Sequence, residues 1–534
     1  MMRDYLKYEK NYIRKRWRGR LPIALIFPNK YEIGMSNLGF LHLYERLNSY
    51  EEIVCERFFY EEDKIRSIEN NRPLKDFPLW LFSISFEGDY VKVLKILLKE
   101  GLELNPSMRN PSMRKEILLG GGIATWSNPF PLLSFLDGFL LGEWEAMEES
   151  VVPLFIEYAH IKETLLEKLS QFDFFFSIHS WNELKTAKKS IKVAKASVLK
   201  EPILTKLISE KAQFKESYLL EVSRGCGRAC RFCLAGFIYR PPRRFKKEAL
   251  LSKIEEIPAE SKVGIVGLEF VNREEVITLG EALLKKGVTL TFSSLRLDAL
   301  NEAFLSLLKT TKSIAFAPET ASYKLKRVIN KVIPNDLIIG TLERLKGTAI
   351  KKIKFYFMFG LPFEEEEDLE ETVAFVKDLS KRRYPFKLVF NFSPFVPKPH
   401  TPFQWADFDI EALKEKREKL RKELPKSVEI KIESLKEAYL QAILARGGVN
   451  LEEFLLDLAS EIPLPKAQKK IENLNNILKP SKIKDFEFPW DKIDIEVSKD
   501  FLYSEWIKAT KGKTTSFCQP MKCKTCGACK IFNI

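Results

Sequence analysis

The chain has 534 residues and a mass of 62.0 kDa, several times the ~100–150 residues of an ordinary domain, which excludes a single packed unit. Hydrophobic residues make up 45% and charged residues 30%, with 24 Gly and 27 Pro, so a collagen-like or globally disordered chain is excluded and a soluble globular protein is expected. The 87 Lys and Arg exceed the 73 Asp and Glu by 14. That excess permits an anionic partner, and a Lys/Glu-rich chain with four His equally suits a heat-adapted (thermophile) surface.

No run approaches the ~20 apolar residues of a membrane span, and residues 1–20 are basic without the apolar core of a secretion signal. A cytoplasmic chain is therefore expected. In that reducing compartment the eight Cys read as metal ligands or catalysts rather than disulfides.

From residue 21 the order is strand, loop, helix: LPIALIFP, then NKYEIGMSNLG, then FLHLYERLN. The cycle recurs with LWLFSISF before VKVLKILLKEG, and with EILLGG before a Gly-rich loop at 120–122, a helical PLLSFLDGFLLGE and a strand-like DGFLLGEWE. Apolar runs alternating with helical periods predict a Rossmann-like, doubly wound α/β domain over residues 1–160. Within it NPSMR occurs twice in tandem at 105–114, read as loop because Pro recurs every five residues. Residues 161–215 read as a Lys-rich helical connection around FDFFFSIHS.

A second series begins at 216. Strands are expected at SYLLEVS, VGIVGLEF, VTLTFSS, SIAFAPE, IKFYFMFG and KLVFNFSPF with amphipathic helices between them. Six such units predict a partial (βα)6 barrel over 216–409, with chemistry on the loops that follow the strands. Residues 410–500 read as helical, with 481–494 an irregular linker, and 501–534 as a Cys-rich tail.

Cys226, Cys230 and Cys233 form C-x3-C-x2-C where the first barrel strand gives way to a loop. Three thiolates hold three corners of a four-iron cluster and leave one iron open to a chelating molecule, whereas a structural zinc site uses four protein ligands. This loop, with aromatic Phe232 before its last Cys, resembles that of the radical S-adenosylmethionine (radical SAM) enzymes, and the likeness extends over residues 217–405. GLPFEEEEDL at 360–369 resembles the Gly-Leu-Pro-Gly-Glu-Thr turn of the branch that holds the methylthiotransferases and cobalamin-type enzymes, with Phe363 in place of Gly.

The resemblance implies a 4Fe-4S cluster whose open iron binds the amino and carboxylate groups of S-adenosylmethionine. Reductive cleavage then yields a 5'-deoxyadenosyl radical that abstracts hydrogen from substrate. It also implies cofactor contacts at Gly267 in VGLE, at Ser293, Ser294 and Arg296 in FSSLR, at Glu319 in APETAS and at Lys331 after VIN. An electron donor such as flavodoxin or ferredoxin is implied as a partner. No further catalytic side chain is assigned.

The first domain resembles a cobalamin-binding domain, in which D-x-H-x-x-G supplies the cobalt ligand. Here the stretch reads Gly34, Met35, Ser36, Asn37, Leu38, Gly39, and His42 falls on the following helix. A cofactor-free domain is the favoured reading, with cobalamin the alternative. Cys55 reads as a buried small hydrophobe.

In the tail, Cys518, Cys523, Cys526 and Cys529 form C-x4-C-x2-C-x2-C, closer to ferredoxin spacing than to a zinc ribbon. An auxiliary 4Fe-4S cluster is expected, with zinc as the alternative. His400 in PKPHTPF reads as a barrel-mouth residue or a backbone-bonding loop histidine, His179 as core packing, and the basic RPPRRFKK at 240–247 as a phosphate contact or a solvated loop. Together with the motifs NKYEIGMSNLGF and VPKPHTPFQW, most of the chain resembles radical SAM proteins with a cobalamin-binding-like N-terminal domain and a methylthiotransferase-like barrel.

The expected activity is a transferase-type modification by hydrogen abstraction, with RNA or a ribosomal component as substrate. A cobalamin-dependent methylase of a small molecule or lipid is one alternative. The other is a non-catalytic nucleic-acid-binding protein with structural metal sites.

Overall fold

A computed structural model describes residues 4–60, 65–104, 115–184, 190–270, 273–293, 295–520, 522–523 and 525–532. The NPSMR repeat at 105–114 and Ser294 lie outside the described residues.

The first apolar run forms β1 (Leu21–Phe27), in which every residue except Pro22 is buried. A strand covered on both faces requires this continuous apolar character. It pairs in parallel with β2 (Ile53–Phe59) on one side and β3 (Leu79–Ser83) on the other. The sheet continues through β4 (Ile117–Gly121) and β5 (Gly138–Leu140) to antiparallel β6 (Phe175–Phe176), in the order β2-β1-β3-β4-β5-β6. That is a doubly wound order, with its switch point beyond the carboxyl ends of β1 and β3.

Two expectations change here. The helix expected over 131–143 is a single 3-10 turn, Phe130–Leu132, followed by β5. The sheet also extends past residue 160, because a side chain at Gly138 would lie 2.3 Å from the Phe175 ring, and its absence lets β6 close the edge.

Strand β2 carries a charge into the sheet. Arg57 is fully buried, with Nη2 2.7 Å from Glu9 Oε2, Nε 2.6 Å from Glu69 Oε1 and its guanidinium over the Tyr44 ring. Two carboxylates and an aromatic face replace the lost hydration, and the pairing ties residues 9 and 69 to the strand.

The second unit contains the six expected parallel strands: β7 (Ser217–Glu221), β8 (Lys262–Val266), β9 (Thr289–Phe292), β10 (Ser313–Glu319), β11 (Lys352–Phe359) and β12 (Lys387–Pro394). They form ladders β7-β8-β9 and β10-β11-β12, joined by an isolated parallel bridge between Leu295 and Phe316. Burial alternates along β11: Ile353, Phe355, Phe357 and Phe359 are buried, whereas Lys354, Tyr356 and Met358 are half-buried on the other face. The region expected to be wholly helical contributes one more parallel strand, β13 (Glu429–Ile432), beside β12.

The two units are sealed along the carboxyl edge of the first sheet. Asn128 Nδ2 donates to the carbonyls of Ala445 and Gly447, Lys398 pairs with Glu87 at 2.6 Å, and Arg243 pairs with Glu143 at 2.6 Å. The expected linker at 481–494 belongs to this packing: Trp490 is buried with Nε1 2.9 Å from Gln404 Oε1, and Ile493 and Asp494 pair with Ile191 and Lys192. Among the described residues no helix is long and apolar enough to cross a membrane.

Candidate functional site

The three-cysteine loop leaves the carboxyl end of β7, the edge at which parallel βα folds present their chemistry. A two-residue pairing of Ser223 and Arg224 with Arg244 and Arg243 pins its base. Gly225 turns with φ +82°, and a Cβ there would meet the Tyr239 carbonyl at 2.4 Å. Cys226, Cys230 and Cys233 follow, and α2 (Ala235–Ile238) closes the loop, with the amides of Cys233 and Gly236 donating to the carbonyls of Cys230 and Cys233.

Burial, reinforced by the charge of neighbouring thiolates, pushes the Cys226 thiol up to about 12 and the Cys233 thiol up to about 11. Ionising Cys226 and Cys233 together therefore calls for a cationic group beside them, which is the chemistry of a metal-cluster donor set. Among the described residues no three His, Cys, Asp or Glu side chains converge on one ion-sized point.

Side chains from successive strand ends surround the loop. After β8, Glu269 Oε2 accepts from the Gly227 amide at 3.2 Å, and its carboxylate lies 3.4 Å from Arg228. After β9, Arg296 Nη1 lies 3.6 Å from Cys230 Sγ, with Asp298 2.8 Å from its Nε. At the end of β10, Glu319 has φ +69° at a register shift and accepts from Lys331 Nζ at 2.7 Å. Lys331 Nζ lies 5.9 Å from the centre of the Phe232 ring, and the charges of Lys331 and Glu319 both act on Cys233.

Arg296, Glu319, Lys331 and Phe232 are thus brought to the loop, whereas Ser293 is exposed at the end of β9. Gly267 has a packing reason instead: a Cβ there would lie 2.7 Å from Ser223 Oγ and 3.2 Å from the Val222 side chain. Glu269 is the loop contact that the sequence reading passes over, although it is the acid of the same VGLE motif.

The second cysteine set is bolted to the first. The Cys518 amide donates to the Gly227 carbonyl at 2.9 Å, and the Arg228 guanidinium lies over the Phe517 ring. Asn330 Nδ2 donates to the carbonyls of Arg228, Ala229 and Thr515, while its Oδ1 accepts from the Thr515 amide at 2.9 Å. Arg231, in the middle of the first loop, is fully buried and reaches Glu505 on α3 (Lys499–Thr510) and the Lys513 carbonyl. Cys526 and Cys529 are buried, and the Ser498 amide donates to the Cys526 carbonyl.

A Cβ at Gly227 would lie 2.9 Å from the Phe517 ring and 3.2 Å from Cys518 Cβ. Gly227→Ala is therefore expected to push the tail off the loop at a cost of about 1–2 kcal/mol. Limited proteolysis should then cut residues 514–534 faster than in the parent protein; an unchanged rate would show that the ring gives way without undocking.

Three glycines beyond the strand ends of the first domain sit in tight packing. A Cβ at Gly34 would lie 2.4 Å from the Phe59 ring, one at Gly122 2.5 Å from the Ile84 carbonyl, and one at Gly142 2.4 Å from the Ala194 carbonyl. The protein's own atoms thus occupy the space beside these glycines. Asn37 caps α1 (Leu38–Ser49) by accepting from the Phe40 amide and donates to Ser85 Oγ, and His42 is half-buried on α1 3.9 Å from Glu145.

His400 is a backbone-bonding histidine: Nε2 lies 3.1 Å from the Ser127 carbonyl, and burial pushes its pKa down to about 3. His179 is exposed and pairs with Glu183 rather than packing in the core. In RPPRRFKK, Arg240 and Arg243 are buried, leaving Arg244 and Lys246 as its exposed cations. Cys55 is buried, and burial raises its thiol pKa, as a small hydrophobe requires.

A three-thiol loop at the mouth of a parallel βα barrel, behind a doubly wound domain, defines a cofactor-carrying α/β enzyme. Residues 39–177 match the family described as radical SAM proteins, N-terminal, and residues 220–376 match the radical SAM superfamily. The chain belongs to the radical SAM superfamily.

The chain is 30% identical over 460 residues to an uncharacterized protein of Methanocaldococcus jannaschii, covering 85% of this chain and 95% of that one. It is 22% identical over 315 residues to a tRNA-2-methylthio-N(6)-dimethylallyladenosine synthase of Carboxydothermus hydrogenoformans, covering 55% and 70% respectively. Among solved structures it is similar to the cobalamin-dependent S-adenosylmethionine radical enzyme OxsB, with a TM-score of 0.45 and 12% identity over 92% of this chain and 79% of that one.

Proposed function

We propose that the chain binds a 4Fe-4S cluster on Cys226, Cys230 and Cys233 and S-adenosylmethionine beside it, and modifies RNA or a ribosomal component. The observation that carries the radical reading is the placement of these thiols at the β7 edge, with Arg296, Glu269 and the Glu319–Lys331 pair gathered around them from three other strand ends. Cys226, Cys230 and Cys233 would hold the cluster, which would supply one electron for cleavage of S-adenosylmethionine to methionine and a hydrogen-abstracting 5'-deoxyadenosyl radical. Glu269 fixes the loop through the Gly227 amide. Arg296 brings positive charge to Cys230, and Asp298 orients its guanidinium. Glu319 and Lys331 offer a carboxylate and an ammonium to the polar ends of the cofactor, and the half-buried Phe232 restricts water at the cluster edge.

Two features support an RNA substrate: the excess of 14 positive charges and the likeness to a tRNA-modifying synthase over 70% of that protein's length. The tail cysteines Cys518, Cys523, Cys526 and Cys529 are proposed to hold an auxiliary 4Fe-4S cluster that relays an electron from a flavodoxin or ferredoxin. The first domain is proposed to work without cobalamin.

The test is metal analysis of anaerobically reconstituted protein, followed by reduction with S-adenosylmethionine and transfer RNA or ribosomal RNA. Expected are about eight irons per chain, no cobalt, 5'-deoxyadenosine, and a mass-shifted nucleoside in the RNA digest. About four irons with one zinc would overturn the auxiliary cluster. Retained cobalt would overturn the cobalamin-free reading, and 5'-deoxyadenosine without any RNA product would overturn the substrate.

A further inference from the structure

Burial alternates along RPPRRFKK: Arg243 and Phe245 are buried, whereas Arg244 and Lys246 are exposed. An extended segment of period two sets those two cations on one face. Arg244 pairs in register with Ser223, whose Oγ donates to the Glu269 carbonyl at 3.4 Å. The exposed face therefore borders the acid that holds the three-cysteine loop.

The Glu269 carboxylate serves several donors at once. Besides the Gly227 amide it faces Arg228 Nε at 3.4 Å and Arg273 Nη2 at 3.8 Å. Arg228 Nη1 stands 3.7 Å from Asp298, which Arg296 already holds at 2.8 Å. Among the described residues Arg228 Nε is buried without a hydrogen-bond partner, and the side chains of Arg244 and Lys246 make no ion pair. Burial, and after it the charge of Arg244 with a smaller part from Arg228, pushes the Arg273 guanidinium below its ordinary value against the opposing pull of Glu269 and Glu275. Three guanidiniums thus crowd one carboxylate beside the loop, and their long contacts leave donors open. A phosphate relieves that repulsion and matches the planar fork of each arginine.

We propose that Arg228, Arg244, Lys246 and Arg273 form a rim that binds the backbone phosphates of an RNA substrate at the mouth of the three-cysteine site. This rests on the RNA reading of the substrate. Such contacts fix where the strand lies without selecting its bases, and each one releases counterions, so binding weakens as salt rises.

The experiment is fluorescence anisotropy of labelled transfer RNA on reconstituted holoenzyme over a series of salt concentrations, without S-adenosylmethionine. Arg244→Ala and Arg273→Ala should each reduce the slope of log affinity against log salt by about 0.7–0.9, and the double variant by about twice as much. Arg244→Lys should keep most of the parent slope, because an ammonium also neutralises a phosphate. Arg383→Ala removes an exposed cation that precedes β12 at the amino end of the barrel, and it should leave the slope unchanged.

A double variant with the parent slope would overturn the rim while leaving the RNA reading intact. An equal fall in Arg383→Ala would assign the attraction to the excess charge of the whole chain and overturn the rim as well. Loss of S-adenosylmethionine binding with the RNA slope retained would give the arginines to the cofactor's carboxylate instead. A parent protein that binds no RNA, or binds an acidic protein in its place, would overturn the RNA reading and this inference with it.

Discussion

Cys230→Ala is expected to abolish 5'-deoxyadenosine formation, a fall of more than about a thousandfold, because no side chain replaces a bound cluster as the source of the electron. The same variant should lose about four of about eight irons per chain, the remainder staying on the four tail cysteines. Cys230 is the informative choice among the three. Its Sγ is the one approached by Arg296 at 3.6 Å, and it opens the turn that the Cys233 amide closes. Cys55→Ala serves as the control, since that thiol is buried in the first domain and should leave both iron and activity unchanged. Undiminished 5'-deoxyadenosine from the Cys230 variant would remove the loop from the radical chemistry, and loss of all the iron would show that the two sites load as one.

The barrel was legible because its six strands are apolar runs buried against helices, and the period of the pattern changes sharply between strand and helix. Strand β13 was not, since Glu429 and Lys431 alternate with half-buried Ile430 and Ile432 on an edge, and no apolar run marks it. Strand β2 escaped for the opposite reason: it is fully buried, but Glu56 and Arg57 break its apolar signal, and their partners Trp17, Glu9 and Glu69 are distant in sequence.

The cysteine sets were visible from spacing alone, yet nothing local in the sequence announces that Cys518 docks on Gly227. Phe363 illustrates a readable departure with an unreadable cause. It takes φ +64° at a position where the related motif has Gly, and its ring lies 5.3 Å from that of Trp506 on α3, so a tail contact offsets backbone strain. Arg231 looks like a surface cation in a basic chain, and only its burial between loop and tail gives it a role.

Arg231→Met is expected to destabilise the protein by about 3–5 kcal/mol and to strip iron from a loop whose cysteines are all intact. The guanidinium donates from Nη2 to Glu505 Oε2 at 3.1 Å and to the Lys513 carbonyl at 2.7 Å, and from Nη1 to the carbonyls of Val328 and Arg327 at 2.8 and 3.0 Å. Methionine fills much of the volume but leaves a buried carboxylate and three carbonyls short of a donor. Arg231→Lys should rescue little, because a point charge cannot reproduce a planar fork that spans four acceptors.

Burial pushes Glu505 up, but hydrogen bonds from Lys508 and Thr515 and the charge of Arg231 outweigh it and hold the carboxyl below its ordinary 4.5. A depressed acid contributes stability that is present above 4.5 and lost as pH falls through the folded value. Chemical denaturation of apoprotein should therefore show the Arg231→Met deficit in full at pH 7 and a smaller one in acid. A deficit under about 1 kcal/mol, in the range of an exposed ion pair, would mean that the loop and tail hold together without this charge. Cys230→Ala and Arg231→Met then separate the two requirements of the proposed site: the first removes a thiol from a loop that stays folded, and the second leaves every thiol in place and removes what holds them together.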